Sequence, residues 1–295
     1  MKSTWILPLF AVAMVAVGCS SDNAPGLPES GQGKVQFDCQ TSGEVAHVEA
    51  RATTGFQLPA EVIPAADAFA LTLKGVYTEK VDEATTAERA YEKSWQTLAD
   101  YQLEAPELEA GIYDAALGHY ANSYEATVSY GDPTVEGEGK ACFTGCSVDA
   151  TGAAAPFVLY AGKPITVPVV AKLSNSCFTL EVTEWMLNYY TNVELTIHTA
   201  TGEFTFKPTT TASSTLIFVK PNQQLSLSGK AVKAQNGVEV TFPKTTIGTS
   251  TVKAETHYAV KVDHSTAGSG ALSISFDGSF TDVPAEDVEL NPDEN

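Results

Sequence analysis

Hydrophobic and polar residues alternate along most of the chain from Lys34 onward. Such a period of two places one face of a segment on a core and the other in water, as in antiparallel strands. Turn-forming residues separate the segments, and many short strands with this spacing predict an all-β protein of β-sandwiches. The apolar positions include Val35, Phe37 and Cys39; Phe69, Leu71 and Leu73; Ile165, Val167 and Val169; Val193, Leu195 and Ile197; Val238, Val240 and Phe242; Tyr258, Val260 and Val262; and Leu272, Ile274 and Phe276.

Two segments interrupt this alternation. Residues 82–101 are rich in Ala, Glu and Thr and predict either a helical turn or a long exposed loop. Residues 183–190 start with Thr-Glu and place two pairs, Trp185 with Tyr189 and Met186 with Tyr190, four residues apart, which predicts a short helix. We expect that helix to connect two sandwich domains, at residues 34–182 and 183–290, followed by an acidic tail at 291–295.

The first residues of the chain resemble an export signal. Lys2 precedes an apolar stretch of about a dozen residues that ends in small residues before Cys19. This pattern predicts a lipoprotein signal peptide at 1–18 and acylation of Cys19, including a palmitate chain, which would anchor the protein to a membrane. The alternative is an ordinary cleaved signal in which Cys19 has no role. Residues 19–33, rich in Ser, Gly and Pro, predict a flexible tether. Ser20 follows Cys19, which favours export to the outer membrane, and Asp22 close to the lipid favours display at the cell surface.

The charge balance limits the possible partners. The chain has 17 basic and 36 acidic residues, a formal charge of -19, and 43% hydrophobic residues. Nucleic acid is excluded as a partner because phosphate binding needs a clustered basic surface. The hydrophobic content is sufficient for a folded core.

Few residues suggest chemistry. The body of the chain has four cysteines, and a disulfide between Cys142 and Cys146 is one possibility, while Cys39 on its inward strand face favours a buried free thiol. Histidines are scattered, and we expect His198 and His257 to be solvated on polar strand faces. The sequence has no metal-ligand spacing and no nucleophile elbow. We therefore predict a non-catalytic protein with no cofactor and no metal.

An aromatic group on the predicted helix is the other candidate site. Trp185, Tyr189 and Tyr190 could stack on sugar rings if they are exposed. Helical aromatic residues between domains are more often part of a core. Both interpretations stay open at this point.

Several segments, in this order, resemble a family of uncharacterised surface lipoproteins of Gram-negative anaerobes that is related to the fimbrillins of type V pili. The resemblance covers nearly all of the chain after the signal, and its weight lies in the order and spacing of motifs that are individually loose. The segments are residues 91–98, 108–113, Gly118, Glu125, 143–145, 175–176, 183–190, 256–258 and 272–277.

The resemblance implies two transthyretin-like sandwich domains and a role in adhesion or in a pilus. It also implies cleavage after a basic residue in the early part of the chain, and a strand from another pilus subunit would then fill the gap. Arg51 is the candidate cleavage site; alternatively, it is a solvent-facing strand residue. Other partners would be surface ligands on host or bacterial cells. An alternative function is that of a glycan-binding accessory lipoprotein in a polysaccharide-uptake system.

Overall fold

The structure, a computed structural model, describes residues 31–49, 52–81, 85–111, 113–114, 118–119, 122–265 and 271–287. Strands dominate these residues, which confirms the all-β prediction. The predicted lipidation site Cys19 and the candidate cleavage site Arg51 lie outside the described residues. Within those residues, no helix is long and apolar enough to cross a membrane.

Twenty-two strands, two α-helices and two short 3₁₀ turns make up the described secondary structure. The helices are α1 (Leu98–Glu104) and α2 (Glu184–Tyr189), and the 3₁₀ turns are Ala60–Val62 and Ala66–Ala68. The strands are β1 (Gln32–Thr41), β2 (Glu44–Glu49), β3 (Ala52–Gln57), β4 (Ala70–Lys80), β5 (Thr86–Trp95), β6 (Glu107–Glu109), β7 (Tyr113–Asp114), β8 (Gly118–His119), β9 (Ser123–Tyr130), β10 (Gly137–Glu138), β11 (Phe143–Ser147), β12 (Ile165–Leu173), β13 (Ser176–Val182), β14 (Tyr190–His198), β15 (Glu203–Phe206), β16 (Ile217–Val219), β17 (Leu225–Lys233), β18 (Glu239–Ile247), β19 (Thr256–His264), β20 (Leu272–Phe276), β21 (Ser279–Val283) and β22 (Glu286–Asp287).

The first sheet has seven strands in the order β5-β4-β9-β11-β12-β1-β6. Its inner face supplies most of the first hydrophobic core, because alternate residues of β1, β4, β9 and β12 point the same way. Helix α1 covers part of this face through Leu98 and Tyr101. The helix begins with a capping box, in which the Thr97 side chain accepts from the Asp100 amide and the Asp100 carboxylate accepts from the Thr97 amide.

The second sheet has eight strands and packs against a five-stranded third sheet to form a β-sandwich. The second sheet runs β10-β16-β13-β19-β2-β3, with β20 and β21 continuing from β19, and the third runs β15-β14-β17-β18-β22. One face of β13 supplies Phe178 and Leu180 to the core of this sandwich. The other face contributes Cys177 to the first core, and β16 likewise contributes Phe218. The second sheet therefore separates the two cores of the molecule.

Strands from both predicted domains contribute to the second sheet. Strands β2, β3, β10 and β13 precede residue 183, and β16 and β19 follow it. Helix α2 forms as predicted, with Thr183 as its N-cap, and leads directly into β14. It connects the second sheet to the third, which are the two layers of one sandwich. The domain boundary at 182/183 and the transthyretin-like label stay predictions.

The prediction of a helical turn or a long exposed loop in residues 82–101 is wrong for 86–95 and is confirmed at 98–101, where α1 begins. Residues 86–95 form β5, which pairs along its whole length with β4, and α1 starts at Leu98. Strand β5 is the edge of its sheet, and most of its side chains on both faces are exposed. Because both faces of this edge strand are largely in water, neither face requires apolar residues, and the sequence of β5 therefore lacks the period-two pattern.

Candidate functional site

The first candidate site is the position of β1 in the first sheet. Strand β1 pairs in parallel with β12 from Val35–Ile165 to Thr41–Ala171. Val35, Phe37 and Cys39 point into the core and are 7%, 7% and 8% exposed. Phe37 packs edge-on against Tyr101, with ring centroids 5.1 Å apart. The strand thus completes the first core, although it is the first described element of the chain.

Polar contacts and one close approach hold the start of β1. The Tyr101 hydroxyl donates to the Val35 carbonyl at 2.8 Å. The Ala110 amide donates to the Gly31 carbonyl at 2.9 Å. A Cβ on Gly33 would lie 2.8 Å from the Leu159 side chain, so this position needs glycine for space. These contacts define a slot for one strand of matching sequence.

The chain then crosses from the first sheet to the second within a few residues. Strand β2 pairs in parallel with β19 and antiparallel with β3. The segment 32–49 therefore contributes consecutive strands to two different sheets. Arg51 follows this segment, between β2 and β3, at a position outside the described residues.

A cleft of 680 Å³ lies beside the β2–β19 junction. Its walls include Phe56, Thr179 and two histidines, His47 and His257. The Nδ1 atoms of the two histidines are 2.8 Å apart, and Nε2 of His257 is 3.1 Å from the Thr179 hydroxyl. Phe56 stacks on His257, with ring centroids 3.9 Å apart. Burial lowers the pKa of His257 to about 4, and the neighbouring His47 adds to the decrease.

The prediction that His257 is solvated is wrong. Its side chain is 2% exposed, because side chains of neighbouring strands in the same sheet, Phe56, His47 and Thr179, pack against the ring. His257 is out of phase with Tyr258, Val260 and Val262, so the period of two placed it on the solvent face and the local sequence contained no signal of its burial. His198 is also partly covered and contacts Glu203 at 2.9 Å and Ser228 at 2.7 Å.

The four described cysteines are free thiols. The predicted bond between Cys142 and Cys146 is therefore corrected by the structure. Cys142 directly precedes the extended strand β11 and Cys146 lies within it, and four residues of extended chain span about 13 Å, whereas a disulfide needs Cα atoms within about 7 Å. Cys39 is a buried free thiol, as expected, and burial raises its pKa to about 11, with a smaller contribution from Asp38.

Helix α2 separates the three aromatic residues of the second candidate site. Trp185 is 76% exposed and Tyr189 is 36% exposed. Tyr190 is 1% exposed and belongs to the core of the second sandwich. Trp185 and Tyr189 are four residues apart and so lie on one side of the helix. The structure leaves these two side chains at the surface, with the Tyr189 ring against His264, and excludes Tyr190 from any surface contact with a ligand.

Potential metal ligands are dispersed over the part of the chain that the structure describes. No group of three or more His, Cys, Asp or Glu side chains there could hold a metal ion. A polar cluster is centred on Glu136, which accepts hydrogen bonds from Thr199, Thr201, Gln223 and the Lys220 amide. All these donors come from loops of the second sandwich, so this carboxylate connects the loop before β10 to that sandwich.

Comparison with protein families matches residues 31–292 to a family described as a domain of unknown function, DUF4493. The chain belongs to this family. The match covers both cores and includes every described strand of the DUF4493 chain. A search of curated proteins finds no match.

Several solved structures are similar to the chain at low sequence identity. A provisionally named cell adhesion protein from Bacteroides eggerthii is 11% identical with a TM-score of 0.34, covering 91% of this chain and 98% of its own. A provisionally named polysaccharide binding protein from Bacteroides thetaiotaomicron is 8% identical with a TM-score of 0.33, covering 85% and 97%. The fimbrial anchor protein Mfa2 from Porphyromonas gingivalis is 11% identical with a TM-score of 0.28, covering 86% and 99%. With TM-scores below 0.5, these are similarities and carry no conclusion about function.

Proposed function

We propose that this protein is a non-catalytic, lipid-anchored protein of the outer membrane and cell surface that acts in adhesion as a fimbrillin-like pilus component. The observation that carries the proposal is the placement of β1. An N-terminal strand fills the first core and pairs in parallel with β12, and residues 19–31 of the predicted tether precede it in the sequence. Such a strand is one that a second subunit could replace by strand addition.

The proposed exchange starts with cleavage after Arg51. Cleavage would separate β1 and β2 from the rest of the chain. Their departure would uncover the apolar residues that contact Val35, Phe37 and Cys39, along with the edge of β12. An exposed edge with an open apolar groove pairs readily with another strand, because both hydrogen bonds and buried area are regained.

The test is limited trypsin treatment of the mature protein, followed by size-exclusion chromatography and denaturing gels. We expect a cut after Arg51 and oligomers that appear only after the cut. Arg51→Ala should prevent both, and Arg51→Lys should restore both because trypsin also cuts after lysine. Arg89→Ala is the matched control, since Arg89 is the other arginine of the chain and lies on β5. A cleaved protein that remains monomeric would exclude strand exchange.

A second candidate function is glycan binding, as in an accessory lipoprotein of a polysaccharide-uptake system. The exposure of Trp185 and Tyr189 on α2 favours it, since aromatic faces at a surface stack on sugar rings. Binding on a glycan array that is lost in Trp185→Ala and retained in Trp185→Phe would support this function. Leu103→Ala is the control, because Leu103 is 88% exposed on the other helix. If no glycan on the array binds, glycan binding is excluded, and adhesion to a protein surface is the remaining function.

A further inference from the structure

The β2–β3 hairpin meets the second sandwich along a short parallel junction with β19. The paired residues are Ala46 with Thr256, His47 with His257 and Val48 with Tyr258. The central pair of this junction is thus a pair of histidines. A junction of three residue pairs has few main-chain hydrogen bonds. One side-chain contact at its centre therefore contributes a large part of the free energy that holds β2 on β19.

The two imidazole rings meet nitrogen to nitrogen. Their Nδ1 atoms are 2.8 Å apart, while the ring centroids are 4.9 Å apart and the planes differ by 15°. The distance between centroids is close to the distance between the nitrogens plus one ring radius on each side. The two centroids and the two nitrogens therefore lie almost on one line, so the rings are nearly coplanar and meet edge to edge. This is the geometry of an N–H···N hydrogen bond, in which one ring donates and the other accepts.

A second proton removes the acceptor from this bond. When both rings are imidazolium ions, both Nδ1 atoms carry hydrogen, and two like charges face each other at hydrogen-bond distance. The repulsion is weakly screened here because His257 is 2% exposed and Phe56 stacks on its face. The other nitrogen of His257, Nε2, contacts the Thr179 hydroxyl, which can donate to it or accept from it, so this contact survives protonation and does not relieve the repulsion at Nδ1.

Charged groups around the pair come from several elements. Glu61, Glu138 and Glu181 line the same cleft from the 3₁₀ turn, β10 and β13. Lys261 on β19 lies 3.9 Å from Glu181. Glu44 lies at the start of β2 itself. Ionised carboxylates attract an imidazolium and so influence the pH of the second protonation, but they cannot restore an acceptor between two protonated nitrogens.

We propose that the His47–His257 pair is a proton-operated latch that holds the β2–β3 hairpin on β19 and releases it when both rings are protonated. Release separates two walls of the 680 Å³ cleft, because His47 and Phe56 are on the hairpin and Thr179 and His257 are on the sandwich. It also exposes the edge of β19 from Thr256 to Tyr258. The N-terminal segment would then be held by β1 alone.

The test is hydrogen exchange on the mature protein, expressed as protection factors so that the intrinsic pH dependence is divided out. Between about pH 7 and about pH 3.5, we expect protection of residues 44–57 to fall by about tenfold or more, while β17 and β18 change by less than about twofold. Imidazole nitrogen spectra should show the second protonation of the pair in the same pH range. Equal loss in β17 and β18, or full protection of the hairpin with both rings protonated, would overturn the proposal.

A variant separates the latch from general acid sensitivity. His47→Gln keeps a donor for the His257 nitrogen but cannot become a cation, so the hairpin should stay protected where the wild-type hairpin opens. His198→Gln is the matched control, because His198 lies on the third sheet with Glu203 and Ser228. The control should open like the wild type. A His47→Gln protein that also opens like the wild type would overturn the proposal, and the imidazole spectra decide the case if this variant does not fold.

Discussion

The hydroxyl of Tyr101 donates a hydrogen bond to the main-chain carbonyl of Val35, with 2.8 Å between the oxygens. Strand β6 pairs with β1 from Gln32 to Lys34, and Tyr101 binds the carbonyl of the next residue. A helix side chain thus continues the hydrogen bonding of a sheet edge where the neighbouring strand ends. Burial raises the pKa of Tyr101, which keeps its hydroxyl protonated as a donor.

Tyr101→Phe should lower the free energy of unfolding by about 1 kcal/mol, because it removes this hydrogen bond and leaves a buried carbonyl without its donor. The ring and its contacts with Phe37 and Trp95 remain. Urea denaturation measures the change. Tyr130→Phe is the control, since Tyr130 is 38% exposed, and it should have almost no effect. Equal effects of the two variants would contradict the role given to the Val35 contact.

The stability of the protein should fall as the pH drops from about 6.5 to about 4 because of His257. Its folded pKa is lowered from 6.5 to about 4, so the unfolded chain binds a proton in this range that the folded chain does not. The loss is at most about 3 kcal/mol, from the shift of the pKa. Urea denaturation across this pH range tests it. His257→Gln should flatten the profile, and His198→Gln should leave it steep.

Glu136→Gln should destabilise the connection between the loop before β10 and the second sandwich by roughly 1–2 kcal/mol, since an amide cannot replace both carboxylate acceptors. Burial opposes ionisation of Glu136, but hydrogen bonds from Thr199, Thr201, Lys220 and Gln223 outweigh it and lower the pKa. The contribution of this group is present above the ordinary pKa of 4.5 and is lost as the pH falls through the lowered value. Denaturation at about pH 7 checks the variant.

The matched control for this experiment is Glu138→Gln. Glu138 is two residues away and exposed. Its replacement should change the free energy of unfolding by less than about 0.5 kcal/mol. A Glu138 effect as large as that of Glu136 would show that general negative charge, and not the hydrogen-bond cluster, is responsible.

Cys146 should be the first thiol of the folded protein to react with a thiol reagent. It is partly exposed on β11, whereas Cys39, Cys142 and Cys177 are buried. Burial raises the pKa of each of these three thiols, which lowers the fraction of reactive thiolate. Reaction with an aromatic disulfide reagent, followed by mass spectrometry of peptides, measures this order. Cys146→Ser should remove the fast phase, and a fast phase that survives would contradict the assignment.

Local sequence patterns determined much of this protein before any contact was known. The alternation at Val35, Phe37 and Cys39 predicts both the strand β1 and its buried face, because a strand has a side-chain period of two. Thr183, followed by Glu184, predicts the start of α2, because a hydroxyl that caps a helix is a local interaction. The net charge, which excludes nucleic acid as a partner, and the hydrophobic content, which is sufficient for a core, are likewise properties of the sequence that do not depend on the fold.

The tertiary structure alone decided which strands became neighbours and which residues on the predicted solvent faces became buried. His257 was expected in water, but it is buried beside His47, a residue 210 positions earlier in the chain. Trp185 is exposed, while Tyr190, five residues later, is in the core. Which distant strands pair depends on the packing of the whole chain. A period-two pattern shows that a segment is a strand and which of its faces is apolar, but it does not show which strand lies beside it.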